Sequence, residues 1–292
     1  INGLNLLNTS STEHMTRMFR SCEALTAIDL SNFNTASTTR MDGLFYKCKL
    51  LASIDVSRFN TSNVGRMHEM FGYCESITAL NLSAFNTSNA HNMSSMFVGC
   101  EGLTSLDLSS FDTSKVERMS SMFAYCDNLA NINFGNNFNT SKVTTFALMF
   151  YSCGALTSLD LSSFDTSMLD DTKQMFMDCT GLTSLNISTW NTSKVDDMHE
   201  MFDHCDNLTT LNISNFDTRA ITTSEGLYRF ARKSGITNLT VGANFVQDYN
   251  MQAAGSDGMF YTSSSTPLTV TGANSVLRTY DFATDNRTVT FA

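Results

Sequence analysis

The chain has 292 residues, 42% of them hydrophobic and only 16% charged, with 28 acids against 18 lysines and arginines and a formal charge of −10. That length suits two ordinary domains or one elongated repeat array, and the apolar fraction is enough to bury a core. The acidic balance excludes non-specific nucleic-acid and anionic-membrane binding, and no apolar run approaches the roughly 18 residues of a membrane-spanning helix.

The first residues, Ile1-Asn2-Gly3-Leu4, carry neither an initiator methionine nor a signal peptide, so the chain reads as an excised piece of a longer protein. Leu4 and Leu7 align with Leu30 and Phe33, which places the start inside a strand and leads us to expect a preceding repeat or domain.

From there the pair Phe-x-x-Cys recurs at Phe19/Cys22, Phe45/Cys48, Phe71/Cys74, Phe97/Cys100, Phe123/Cys126, Phe150/Cys153, Phe176/Cys179 and Phe202/Cys205. The intervals are 26, 26, 26, 26, 27, 26 and 26 residues, the extra residue falling in Gly135-Asn136-Asn137. Self-similarity at a fixed period of this size marks a solenoid, in which each unit buries its apolar face only by stacking on its neighbours.

Within the unit that begins at Leu103, Leu106 and Leu108 alternate with Ser105, Asp107 and Ser109, the period of two of a short strand. Asp112-Thr113-Ser114 then supplies side-chain oxygens suited to a turn and a helix N-cap. Val116, Met119, Met122, Phe123 and Cys126 follow at offsets 0, 3, 6, 7 and 10, one face of a helix. The expected unit is strand, turn, short helix, turn, and the fold class is an α/β solenoid: a right-handed, leucine-rich-repeat-like stack with a continuous parallel sheet on one face.

The regular repeats cover residues 1–220. After Ile221 the pattern loosens: Ile221, Leu227, Tyr228 and Ala231 match the helix columns with Ala231 in place of cysteine, and the next strand, Leu239/Val241, arrives two residues late. Met259-Phe260, the strand Leu268/Val270, and a last segment from Tyr280 that ends in Arg287-Thr288-Val289-Thr290-Phe291 complete residues 221–292, which read as degenerate repeats forming a cap.

The string carried by Leu106, Asp107, Leu108, Ser109, Phe111, Asp112, Thr113, Ser114, Met119, Met122, Phe123 and Cys126 resembles the repeat of BspA-like leucine-rich-repeat surface proteins. A repeat of that type also occurs in mycoplasma lipoproteins of unknown function. The C-terminal Tyr280-Asp281-Phe282-Ala283 and Asp285 to Val289 resemble a terminus found in the same proteins. The resemblance covers nearly the whole chain and implies export, anchoring at the cell surface and, for some members, adhesion to host matrix proteins. It brings no catalytic residues.

The eight cysteines occupy a single column, where a small buried residue fits. Helix layers usually stand wider apart than strands, so packed free thiols are favoured over disulfides, and the absence of any C-x-x-C pair argues against zinc. Thirteen of the 17 methionines fall in the two M-x-x-M columns, a spacing that core packing explains without a metal.

The exposed strand column reads Asp29, Asp55, Asn81, Asp107, Asn133, Asp160, Asn186 and Asn212. With Ser105 and Ser109 it forms the candidate ligand-binding face; it reads as a solvated polar ladder, with Ca²⁺ as the one cofactor its oxygens could attract. A second candidate surface is a stripe of Tyr46, Tyr73, Tyr125 and Tyr151, and the later units carry an acidic set that includes Asp170, Asp171, Asp196, Asp197, Glu200 and Asp203. His68 and His199 share a column five layers apart, and no histidine gains a Ser or Cys nucleophile. An enzyme would need polar residues converging where the repeat breaks, and paired acids in a pocket of the cap would indicate one.

The sequence therefore points to a non-enzymatic, extracellular, surface-displayed scaffold of bacterial origin. It is expected to be a monomer that binds a protein or glycan, with no nucleic-acid partner and no membrane insertion by this fragment. The alternative is a purely structural stalk displaying another domain.

Overall fold

The computed structural model describes residues 3–223, 225–246, 258–262, 267–272 and 287–291. The expected terminus Tyr280-Asp281-Phe282-Ala283, with Asp285 and Asn286, lies outside the described residues. The chain divides into two compact units, Ile1–Lys142 and Val143–Ala292. Each unit is a leucine-rich-repeat-like stack of coils joined by parallel pairing.

In the first unit β1 (Ser105–Asp107) pairs in parallel with β2 (Asn131–Asn133), Leu106 facing Ile132. In the second, β3 (Ser158–Asp160) pairs with β4 (Ser184–Asn186). There, β5 (Thr210–Ile213), β6 (Asn238–Val241), β7 (Leu268–Thr271) and β8 (Val289–Phe291) form a four-stranded parallel sheet. The sheet is thus in pieces, not continuous. In the early coils the strand-side bonds stretch, Leu50 N to Glu23 O and Ala52 N to Thr26 O both at 3.4 Å.

The opposite side corrects the sequence reading. No α-helix occurs among the described residues; a single 3-10 turn spans Leu4–Leu6. Where the short helix was expected, backbone N–H groups alternate between two acceptors. Those of Met41, Gly43, Phe45 and Lys47 donate to the next coil, at Arg66, His68, Met70 and Gly72 carbonyls, 2.7–3.0 Å away. Those of Leu44, Tyr46 and Cys48 turn back three residues, to Met41, Gly43 and Phe45. Isolated parallel bridges run down this side, from His14 through Arg40, Arg66 and Asn92 to Arg118, and from Thr145 through Asp171 to Asp197 in the second unit.

This geometry requires the left-handed backbone region twice per coil. Gly43 and Lys47 have φ of 57° and 61°, Glu69 and Tyr73 both 56°, Ser121 and Tyr125 55° and 59°. Overlapping three-residue turns bury offsets 0, 3, 4 and 7 just as a helix does, so Met41, Leu44, Phe45 and Cys48 are all buried. The periodicity is the same; the hydrogen bonds go to the neighbouring coil.

The core follows from that stacking. Phe45, Phe71, Phe97 and Phe123 stack ring on ring at centroid distances of 5.8–5.9 Å. Phe150, Phe176 and Phe202 do so in the second unit at 5.7 and 5.5 Å. Because the turn side is the tightly bonded one, the thiols reach across it. Cys48, Cys74, Cys100 and Cys126 donate to the carbonyls of Phe19, Phe45, Phe71 and Phe97 at 3.1–3.2 Å. All eight cysteines are free, and burial pushes the Cys48 thiol to about 11 and that of Cys126 to about 12.

The Asn/Asp-Thr-Ser segment also works differently from a helix cap. Asn60 Oδ1 accepts the Ser62 N–H at 3.1 Å, closing a turn, while Thr61 is buried and bonds to the next coil. The same pair of contacts recurs at Asn86/Thr87 and Asn191/Thr192.

The cap keeps the stacking rule in a shifted register. The Phe202 N–H donates to Phe230 O as Phe45 N–H does to Met70 O, and the left-handed pair is Arg229 and Lys233. Ala231 therefore stands in the phenylalanine column and Ser234 in the cysteine column, three residues later than expected. The path from Ile221 to Gly226 is three residues longer than in the other coils, and one residue is lost before Leu239, which pairs with Leu211. The 28-residue spacing hides both changes. With alanine in its column the ring stack ends, and Phe230 meets Phe202 edge-on at 5.2 Å.

Candidate interaction surfaces

The eight residues of the predicted strand column, Asp29 to Asn212, are all exposed, as are Ser105 and Ser109. Each accepts the backbone N–H two residues on. Asp29 takes Ser31 at 2.9 Å, Asp55 Ser57 at 2.9 Å, Asp107 Ser109 at 3.0 Å and Asp160 Ser162 at 2.9 Å. Asn81, Asn133, Asn186 and Asn212 do the same for Ser83, Gly135, Ser188 and Ser214. These oxygens end each strand. Two amides also bridge coils, Asn133 Nδ2 to Asp107 Oδ1 and Asn186 Nδ2 to Asp160 Oδ1, both at 3.0 Å.

Hydrogen bonds from the Ser109 backbone and hydroxyl hold Asp107 below the usual carboxylate range, and Ser31 does the same for Asp29. For Asp55 and Asp160 the serine hydroxyls of Ser57 and Ser162 contribute most. The column is a charged, hydrogen-bonded rail. Among the described residues no group of three or more His, Cys, Asp or Glu side chains is placed to hold a metal ion.

Of the tyrosine stripe the structure brings Tyr46 and Tyr73 together, edge to face at 5.5 Å. Arg20 lies over the Tyr46 ring at 4.8 Å, and the Lys47 ammonium sits 5.5 Å from Tyr46 and 5.9 Å from Tyr73. Burial raises both phenols. The next coils leave room for the rings by offering glycine: a Cβ at Gly99 would stand 2.5 Å from the Tyr73 ring, and one at Gly72 3.0 Å from that of Tyr46. Tyr125 is exposed, and Tyr151, half-buried, belongs to the second unit.

Charge divides unevenly. The first unit carries ten Lys/Arg and twelve Asp/Glu, the second eight and sixteen. Sequence reasoning listed the acidic residues of the second unit but missed their partners. His199 Nδ1 meets Asp197 Oδ1 at 2.7 Å, and that hydrogen bond raises the imidazole. Burial works to raise Asp197, yet the bonds from His199 hold it below the usual value. Buried Asp203 is gripped by Arg232 at 2.7 Å and met by His204 at 2.9 Å. Burial raises Asp171, and repulsion from Asp197 and Asp170 adds to it.

In this acidic region the widened turn opens a cavity of about 460 Å³ lined by His199, Glu200, Glu225 and Tyr228. Normal coils run two residues from the buried aliphatic side chain to the bridge position, as in Val195 to Asp197. Here the path from Ile221 to Gly226 takes five, and a Cβ at Gly226 would meet Ile221 Cγ2 at 2.4 Å. The cavity does contain two carboxylates, the feature that would indicate an enzyme. Both Glu200 oxygens are already engaged, Oε2 by Gln174 Nε2 at 2.7 Å and Oε1 by Arg229 Nη1 at 3.1 Å. Glu200 is thereby an acceptor tied to two neighbouring coils.

In the first unit His68 Nδ1 meets buried Asp42 at 2.6 Å, with Arg66 Nε at 3.5 Å. Ser94, next in that column, is bonded by Ser120 at 3.1 Å.

No curated protein sequence matches the chain. Among solved structures it is similar to a leucine-rich repeat protein from Eubacterium ventriosum, at 18% identity and a TM-score of 0.44, covering 80% of this chain and 67% of the other. It is also similar to the functional domain of InlJ from Listeria monocytogenes, described as including a cysteine ladder, at 11% identity and 0.23, covering 84% and 67%. An internalin, inlF, from the same species follows at 14% and 0.22, covering 77% of each chain. The family model described as "Mycoplasma protein of unknown function, DUF285" matches residues 2–77, 50–158, 100–186, 128–238 and 155–265. The chain belongs to that family.

Proposed function

We propose that this chain is a non-enzymatic interaction scaffold of a bacterial surface protein of the BspA type, displayed outside the cell and binding an extracellular protein or glycan. The observation that carries the reading is the division of labour within each coil. Interior columns repeat Phe, Met, Cys and Thr, whereas the left-handed turn positions, exposed or half-buried in most coils, vary widely in charge and size. The position before cysteine, for example, holds Ser21, Lys47, Tyr73, Gly99, Tyr125, Ser152, Asp178 and His204. A fixed frame with variable exterior side chains suits selection of a partner.

The rail of Ser105, Asp107, Ser109 and their counterparts adds uniform hydrogen-bonding capacity on the strand side. The tyrosine pair and the acidic region supply distinct chemistry on the turn side.

Arrays of immobilised matrix proteins and glycans, probed with the chain, test this reading. Saturable binding to a defined subset is expected. Absence of binding across both arrays would contradict it and leave the structural stalk.

A further inference from the structure

Two cations of the first unit converge on one ring, and neither has a counter-ion. Arg20 lies over Tyr46 with its guanidinium carbon 4.8 Å from the ring centroid, and the Lys47 ammonium stands 5.5 Å from the same ring and 5.9 Å from that of Tyr73. Among the described residues Arg20 and Lys47 make no ion pair and no side-chain hydrogen bond, and the hydroxyls of Tyr46 and Tyr73 have no hydrogen-bond partner. Arg20 is exposed and the other three are half-buried. Stacking on a ring engages only the face of a guanidinium, so its in-plane N–H groups stay available. Burial raises both phenols, and each therefore keeps a proton to donate at neutral pH.

The cap shows what a guanidinium in this column does when an acid is offered. Arg232 occupies the place of Arg20, one residue before the left-handed Lys233 as Arg20 precedes Ser21. It grips Asp203 through Nε at 3.0 Å and Nη2 at 2.7 Å. Arg20 is offered the ring of Tyr46 instead. Of the acids nearby, Asp42 is taken by His68 and Arg66. Glu69 is the carboxylate whose field reaches both phenols, and the stem of Arg17 shares the space over Gly43 with it. Arg17 balances Glu69, and Arg20 and Lys47 leave the face positive.

We propose that Arg20, Lys47, Tyr46 and Tyr73 form a site for the acidic group of an extracellular glycan, a carboxylate or a sulfate. The inference rests on the scaffold reading and names the ligand class of one contact within it. The guanidinium edge and the ammonium supply charge-assisted donors for the acidic group. A phenol hydroxyl donates and accepts, which matches a sugar hydroxyl; an acidic side chain offers acceptors only, and the cations alone would meet that need. The paired phenols thus favour a sugar over an acidic peptide.

The test is an NMR titration of the full chain with four probes: a sulfated methyl glucoside, methyl glucuronide, uncharged methyl glucoside and acetyl-Gly-Asp-Gly-amide. The acidic sugars should shift the ring resonances of Tyr46 and Tyr73 with millimolar affinity, the tighter of the two identifying the acidic group. The uncharged glucoside and the peptide should bind at least about fivefold more weakly. Arg20→Gln and Lys47→Gln should each weaken acidic-sugar binding at least about tenfold, and Tyr73→Phe about threefold. Lys115→Gln, which alters an exposed cation elsewhere in the unit, should change it less than about twofold.

Equal binding of the uncharged glucoside, equal or tighter binding of the peptide, an unchanged Lys47→Gln variant, an equal loss in Lys115→Gln, or no shift with any probe would each overturn the assignment. Array binding that survives Arg20→Gln and Lys47→Gln combined would remove this contact and keep the scaffold; absence of array binding by the unaltered chain would remove the scaffold itself.

Discussion

The hydroxyl of Thr61 closes both backbone groups of Asn86 in the next coil, donating to its carbonyl at 2.9 Å and accepting its N–H at 2.8 Å. Thr35 does the same for Asn60. In the second unit Thr166 does it for Asn191, and Thr192 for Asp217. A buried threonine in this column is thus a two-way connector between coils.

Thr61→Val keeps the shape and removes the connector. The backbone N–H and carbonyl of Asn86 lose their partner, so unfolding free energy should fall by about 1–3 kcal/mol. Chemical denaturation of the variant checks this; a loss as small as that of an exposed serine would show the bonds contribute nothing.

The left-handed positions make an opposite pair of expectations at Ser121, φ 55°. Ser121→Gly relieves a strained backbone and should lie within about 1 kcal/mol of the parent, since glycine's greater unfolded freedom offsets the gain. Ser121→Val places a β-branched residue there and should lose about 1–3 kcal/mol. Thermal melts of both variants give the order.

Thiol chemistry should separate Cys22 from the rest. Cys22 is half-buried, and the other seven are buried, with burial raising the thiols of Cys48, Cys126 and Cys179 to about 11, 12 and 12. Brief alkylation of the native chain followed by peptide mapping should label Cys22 alone, with full labelling only in denaturant.

Arg287 joins the last coils. Its buried guanidinium donates to the carbonyls of Phe260, Ile236 and Ser234 at 2.7, 2.6 and 3.1 Å. Arg287→Met should destabilise the second unit by about 2–4 kcal/mol, visible as faster hydrogen exchange in β6 and β7.

The His199–Asp197 pair sets a pH dependence. The folded imidazole titrates above its unfolded value, so its stabilisation is fully present below about pH 6 and disappears as pH rises through the folded value. The melting-temperature difference between the parent and His199→Gln should therefore be larger at about pH 5.5 than at about pH 8.5. An equal difference at both would remove the pairing.

Much of this was legible in the sequence. The Phe-x-x-Cys register identified the stack, and the alternation of Leu106 and Leu108 with Asp107 located the strand and its exposed column. The turn side was misread because offsets 0, 3, 4 and 7 describe a helix face and a run of three-residue turns equally well. One signal distinguished them. The two left-handed columns, Arg17 to Arg229 and Ser21 to Lys233, contain glycine at Gly43 and Gly99 and no Val, Ile, Thr or Pro in a chain rich in threonine. A helix surface has no reason to exclude threonine from one position in four.

The cavity was hidden for a different reason. A gain of three residues before Gly226 and a loss of one before Leu239 partly offset each other, so the sequence showed a two-residue delay and concealed the widened turn. The acids there were noted as a charged surface; their engagement with Gln174, Arg229 and Arg232 depends on coils 26 to 29 residues apart and leaves no local motif.

Through-hydrogen-bond NMR coupling at the Phe71 amide tests the stacked-coil architecture most directly. The account predicts a correlation from Phe71 N–H to the carbonyl of Met96, 3.0 Å away in the next coil. A correlation to the Met67 carbonyl, four residues back in the same coil, would mean that the turn side is helical after all, and the arrangement described here would be wrong.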